Sequence, residues 1–112
     1  MPTFKAGDIV RVPFPYTDRN TRQHRPALVV SDGAIGDNGD LLWVLMITSA
    51  ENKRWAGDVS IPLHEEAGLP VASVIRPVKV ATIEVLHADR LGQVTPAILE
   101  NVRREIRTVL KK

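Results

Sequence analysis

The chain has 112 residues, 44% hydrophobic and 25% charged, the size and apolar share of one folded domain rather than of a disordered segment. It has no cysteine, which excludes a disulfide framework, a thiolate metal site, an iron–sulfur cluster and a cysteine nucleophile, and the three histidines, His24, His64 and His87, are too dispersed to suggest a zinc site. The formal charge of +2 is unevenly spread: residues 1–26 carry five basic against two acidic residues, residues 95–112 again five against two, and residues 27–94 five against nine.

Two basic ends on a mildly acidic body suit a polyanion lying across one face, although ordinary surface solvation produces the same pattern. The first residues enter strand-like sequence without an apolar signal core, and the longest apolar run, Leu41 to Ile47, is far shorter than the roughly 20 residues of a membrane span. The expectation is a cytoplasmic protein with no membrane partner and one domain over residues 1–112.

In chain order, Gly7-Asp8 opens a strand in which Val10, Val12 and Phe14 alternate with Arg11 and Pro13. Pro13 and Pro15 cannot donate to a ladder, so this strand must end there or lie at an edge. Tyr16 to His24 is polar and basic and reads as a loop. Pro26 to Ser31 is an apolar strand, and Asp32 to Asp40 is a turn with three glycines. Leu41 to Ser49 is the longest strand and is expected to be central. Gly57 to Ile61 alternates, with Val59 and Ile61 on one face. After a turn at Glu65 to Gly68 come two short strands, Ala72 to Arg76 and Val80 to Leu86, separated at Pro77.

The tail changes period. Thr95 suits an N-cap and Pro96 the first helical position. Ile98, Leu99, Val102, Ile106, Val109 and Leu110 then recur three and four apart, the apolar stripe of an amphipathic helix. Several short strands and one helix predict a mainly β fold with α: a small, strongly bent antiparallel barrel with a C-terminal helix over an open side.

Three apparent motifs fail. Gly33, Gly36 and Gly39 lack the Lys-Ser/Thr and following helix of a phosphate loop. His64-Glu65-Glu66-Ala67-Gly68 places glycine where a zinc-binding HExxH motif needs its second histidine. No nucleophile elbow supports a serine triad.

What remains is Gly7-Asp8-Ile9-Val10-Arg11-Val12-Pro13-Phe14-Pro15, then Arg25-Pro26-Ala27-Leu28-Val29-Val30-Ser31, Ile47-Thr48-Ser49, Ala67-Gly68-Leu69-Pro70 and Ser73-Val74-Ile75-Arg76-Pro77. Taken in this order from about Lys5 to the C-terminal helix, these segments resemble the MazF/PemK family, the toxins of bacterial toxin–antitoxin modules. The resemblance implies an SH3-like barrel, a homodimer, a cognate antitoxin partner whose complex with the toxin binds DNA, and a cofactor-free, metal-independent endoribonuclease that cuts single-stranded RNA. In that chemistry the 2′-hydroxyl attacks the adjacent phosphorus, leaving a 2′,3′-cyclic phosphate and a 5′-hydroxyl. Such a reaction needs proton transfer and stabilisation of the phosphorane.

By resemblance, Arg25 is the main catalytic residue, whose planar guanidinium can grip two phosphate oxygens. Thr48 is matched as a hydroxyl donor, with Ser49, beside it on the opposite face, as an RNA contact. Arg76 matches a basic residue near the scissile phosphate. Two residues on, where some members carry a proton-transferring acid, this chain has Val78. His24 replaces an arginine common in the family and is an acid–base candidate, as a solvent-facing loop histidine otherwise. Arg19 and Arg22 in the basic loop, with Lys53 and Arg54, are phosphate contacts. Tyr16, Trp43 and Trp55 are stacking candidates, with Trp43 expected in the core or dimer interface and Trp55 more exposed.

Two alternatives stay open. The same barrel serves as a gyrase poison that acts by protein binding, although the helix end Val109-Leu110-Lys111-Lys112 lacks the aromatic that relative uses. A catalytically silent RNA- or peptide-binding barrel is the other. Five aromatics spread along the chain speak against a proline-peptide binder.

Overall fold

The computed structural model describes residues 3–14 and 23–111. Six strands, β1 (Asp8–Phe14), β2 (Gln23–Val29), β3 (Leu41–Ser49), β4 (Val59–Ile61), β5 (Ser73–Glu84) and β6 (Asp89–Gln93), precede a helix α1 (Pro96–Leu110). The strands form one sheet in the order β4-β5-β3-β2-β1-β6, with every pairing antiparallel. β3 is central, as its apolar run predicts.

The sheet curls, and two glycines show how. The turn after β4 returns to β6 at the opposite edge of the sheet. A Cβ on Gly68 would collide with the carbonyl of Leu91, and one on Gly92 with the carbonyl of Ala67. Backbone therefore lies directly on backbone, and Gly68 also holds φ +86°. The Ala67-Gly68-Leu69 segment is thus a clasp between the two edges of the sheet.

Alternation divides the core in two. Ile9, Leu28, Leu45, Ile47, Ile61 and Ile75 pack with Val102 of α1, flanked by Ile98, Leu99 and Ile106. Val10, Val12, Ala27, Val29, Val44 and Met46 point to the other face, against Phe4, Val85 and Ala88. α1 begins as its sequence predicts: the Thr95 hydroxyl oxygen accepts from the Ile98 N–H at 3.3 Å, and Pro96 occupies the first turn.

Several expectations need correction. β2 starts at Gln23, so His24 and Arg25 belong to a strand rather than a loop or its edge, and Ser31 lies outside it. The two strands expected around Pro77 are one strand, β5, whose register against β3 jumps from Met46↔Arg76 to Leu45↔Val80. Pro77, Val78 and Lys79 are accommodated as a bulge, which lets proline sit within a strand. That strand ends at Glu84, and Val85–His87 is a single 3-10 turn. β6, with the sequence DRLGQ, has no apolar alternation to reveal it. Pro13 does pair with His24 of β2, and on the other side of β1 the pairing with β6 reaches only as far as Arg11.

Candidate functional site

Three of the matched residues come to one face at one end of the sheet. The β2–β3 register pairs Ala27 with Met46, Leu28 with Leu45 and Val29 with Val44. Continued two residues past its last pair, that register sets Arg25 opposite Thr48. On the other side of β3, Arg76 of β5 pairs with Met46. Arg25, Thr48 and Arg76 therefore share the face of Ala27 and Met46, while His24 and Ser49 alternate to the opposite face.

Thr48 is 4% exposed, and its Oγ1 accepts a hydrogen bond from Asn52 Nδ2 at 2.6 Å. A hydroxyl that accepts there keeps its own O–H to donate. Arg25 is half-buried, whereas His24 is exposed. Ser49 Oγ accepts from the Glu51 N–H at 3.2 Å, which starts the turn leading into the β3–β4 loop.

That loop folds over the site end of the sheet, and Arg76 anchors it. Arg76 Nε donates to Asp58 Oδ1 at 3.1 Å, and Nη2 donates to Asp58 Oδ2 at 3.0 Å and to the Lys53 carbonyl at 2.9 Å. The guanidinium carbon lies 4.2 Å from the Trp55 ring centroid, a cation–π contact, and Lys79 Nζ lies 5.3 Å from the same ring. Asp58 also accepts from the Trp55 N–H at 2.9 Å, and Arg54 Nη2 donates to the Asp58 carbonyl at 3.3 Å. Burial pushes the Asp58 carboxyl up, but the Arg76 hydrogen bonds, the Trp55 N–H and the charges of Arg76 and Arg54 together hold it below its ordinary value. It stays a carboxylate at neutral pH and neutralises the arginine beside it.

Asp58 escapes a reading of the sequence. A single acid at the entry to a short alternating segment carries no motif. Its partner is visible only once the β4–β5 register, Val59↔Ile75, is continued by one residue to place Asp58 opposite Arg76.

The other candidates are distributed as follows. Lys53 and Arg54 are exposed on the β3–β4 loop. Trp55 is 39% exposed and Trp43, expected in the core or a dimer interface, is 53% exposed, so it is not a core residue and the anticipated order of exposure is reversed. Trp43 points away from the core residues Leu42 and Val44 that flank it, onto a stretch of sheet that α1 does not cover. Val78 is 51% exposed on the β5 bulge. Tyr16, Arg19 and Arg22 lie outside the described residues.

No group of acidic or imidazole side chains among the described residues is arranged to hold a metal ion. No described helix is long and apolar enough to cross a membrane. A cleft of about 450 Å³ between the start of α1 and the β4 turn, lined by Ile61, Leu63, Ala67, Val94, Pro96 and Ile98, is apolar and contains none of the residues above.

Among solved structures, the chain is similar to a MazF from Deinococcus radiodurans, with 24% identity, a TM-score of 0.81 and all of both chains covered. It is similar to a MazE–MazF complex from the same organism, with 24% identity, a TM-score of 0.75 and 98% of this chain and 97% of that one covered. An endoribonuclease in complex with its cognate antitoxin, from a mycobacterial species, is 20% identical with a TM-score of 0.73 over 99% and 96% of the two chains. At these identities the likeness establishes the fold, a small SH3-like barrel. No curated protein matches the sequence. The family model of the PemK-like, MazF-like toxins matches residues 5–110. The chain therefore belongs to the PemK-like, MazF-like family of toxins of type II toxin–antitoxin systems.

Proposed function

We propose that this toxin, acting as one domain over its whole length, is a metal-independent endoribonuclease for single-stranded RNA, with a 2′,3′-cyclic phosphate and a 5′-hydroxyl as products. The observation that carries the proposal is that Arg25 and Thr48, two residues beyond the last β2–β3 pair, share one face of the sheet with Arg76 one strand away.

As the 2′-oxygen attacks phosphorus, negative charge grows on the two non-bridging oxygens. Arg25 donates to both through the two parallel N–H groups of its planar fork, and the Thr48 hydroxyl donates to one. Arg76 adds a cation on the same face. Backbone strands hold these donors in place before substrate arrives, so little reorganisation is needed at the moment of reaction.

Val78 can neither accept nor donate a proton, and His24 is on the opposite face from Arg25. Catalysis on this assignment comes from charge stabilisation, with the 2′-proton lost to solvent and the leaving 5′-oxygen taking its proton from solvent. Lys53, Arg54 and Trp55, exposed around the site, hold phosphates and stack a base, and the basic segment with Tyr16, Arg19 and Arg22 extends that surface. A cognate antitoxin covers the same arginine-flanked surface, and the toxin–antitoxin complex is the form that binds DNA. The protein is a homodimer: Trp43 and Val80, diagonal neighbours on β3 and β5 that are 53% and 59% exposed, offer apolar surface for a second copy.

The test is incubation of a long unstructured RNA with the protein in EDTA, beside Arg25→Ala and Thr48→Ala. Cleavage by the wild type that both variants lose supports the proposal. Intact RNA at high enzyme excess overturns it and favours a toxin that acts by binding a protein, as gyrase poisons do.

A further inference from the structure

Arg76 is bound in an uneven way for a buried arginine. Its side chain is 7% exposed and that of Asp58 is fully covered. Nε and Nη2 are fully engaged, by both Asp58 oxygens and the Lys53 carbonyl, and the guanidinium carbon lies 4.2 Å from the Trp55 ring centroid. Nη1 alone has no hydrogen bond among the described residues. No buried side-chain nitrogen among them lacks a partner, so Nη1 is the corner of the fork that reaches solvent.

A purely structural pair gains from satisfying every N–H, since leaving donors unused forgoes the compensation that burial of a charge requires. Here Nε and Nη2 are fixed and one amino group is left open, on a residue whose strand position shares the face of Arg25 and Thr48. An arginine free in solvent must order several torsions before it can grip an anion, and Asp58 has removed that freedom in advance.

We propose that Asp58 is a positioning residue for RNA binding: it clamps Arg76 so that Nη1 donates to an RNA backbone phosphate next to the one held by Arg25 and Thr48. This rests on the RNA-cleaving assignment above and adds to it a residue that touches no substrate. Asp58 also places the loop from Lys53 to Asp58, since it holds the Trp55 N–H and, through Arg76, the Lys53 carbonyl. One carboxylate thereby sets both a phosphate contact and the stacking ring beside it.

The sign of one substitution separates this from simple electrostatics. Asp58→Asn removes a negative charge near a polyanion, so charge alone predicts tighter RNA binding and a steeper dependence on salt. Positioning predicts the reverse. The probe is a fluorescent pool of random-sequence 2′-O-methyl RNA of roughly twelve nucleotides, which cannot be cleaved and reports backbone contacts. Binding is measured by anisotropy over a salt series.

Asp58→Asn is expected to bind about five- to twenty-fold more weakly, with the slope of log K against log salt reduced by about 0.7, the value for one lost single-strand phosphate contact. Asp58→Glu is expected to recover part of the loss, and in an Arg76→Met background Asp58→Asn should have no further effect. Equal or tighter binding by a folded Asp58→Asn overturns the proposal, as does an undiminished effect in the Arg76→Met background. If Asp58→Asn does not fold, Arg76→Lys decides: it keeps the charge but loses the oriented fork, and wild-type affinity and slope in that variant also overturn the proposal. Failure of the wild type to bind the pool at low salt overturns the RNA assignment itself, a separate outcome.

Discussion

Arg25 and Thr48 lie on one face of β2 and β3, each two residues beyond the last pair of that ladder, Ala27↔Met46. The antiparallel register puts on one face of the sheet an arginine and a threonine that are 23 positions apart in the chain. Neither residue is held by a catalytic motif in the local sequence. Their shared face is a property of the sheet.

Removing either donor should slow RNA cleavage without unfolding the protein. Arg25→Ala is expected to lower the single-turnover rate about a hundred- to a thousand-fold, the range for one preorganised donor to a developing oxyanion. Arg25→Lys should recover little, because lysine keeps the charge but not the bidentate fork. Thr48→Val, which keeps the β-branched shape and loses the hydroxyl, should cost about a hundred-fold. Melting temperatures measured alongside should stay close to wild type.

Proton transfer has its own signature. With Val78 at the bulge and His24 alternating away from Arg25, His24→Ala is expected to change the rate by less than about two-fold. A large loss in His24→Ala would assign the base to His24.

Asp58 links stability to acid. Its folded-state pKa lies below the ordinary carboxylate value of 3.8. The stabilisation it contributes is therefore complete above that unfolded value and is lost as pH falls through the lower folded one. At neutral pH Asp58→Ala, which leaves Arg76 buried without its counter-ion, should cost about 3 kcal/mol, a fall in melting temperature on the order of 10 °C. The difference between wild type and variant should shrink in melts carried out below about pH 4. A gap that stays constant down to strong acid would mean that Asp58 is not charged in the folded protein.

The glycine clasp is the structural counterpart. Gly68→Ala and Gly92→Ala each push a methyl group into facing backbone and should destabilise by about 1–3 kcal/mol, with Gly68 the worse because of its positive φ. Gly39, also at positive φ but with nothing within 4 Å of where a methyl group would stand, serves as the comparison: Gly39→Ala should cost about 1 kcal/mol, from backbone strain alone. Chemical denaturation of the three variants checks the ranking.

The parts of this molecule that were legible in the sequence are those whose signal is local. The alternation of Val10 and Val12, the apolar run of β3 and the Thr95-Pro96 start of α1 each follow from nearest-neighbour chemistry, and each stands where it was expected. What escaped depends on partners distant in the chain. β6 is a strand because β1 offers it an edge, not because Asp89–Gln93 alternates. β5 runs through Pro77 because a bulge absorbs it. Trp43 is apolar yet outward, since the helix that would cover its face packs nearer Ile47 and Ile75. Arg25, Thr48 and Arg76 were identified by likeness to a family, while the face they share, and the hold of Asp58 on Arg76, required the register.

The termini of the product record which atom attacks phosphorus. Mass spectrometry of the fragments released from a defined single-stranded RNA by the wild-type toxin in EDTA should show a 2′,3′-cyclic phosphate on the upstream fragment and a 5′-hydroxyl on the downstream one. Fragments ending in a 3′-hydroxyl and a 5′-phosphate, or RNA recovered without cleavage at enzyme excess, would contradict the assignment.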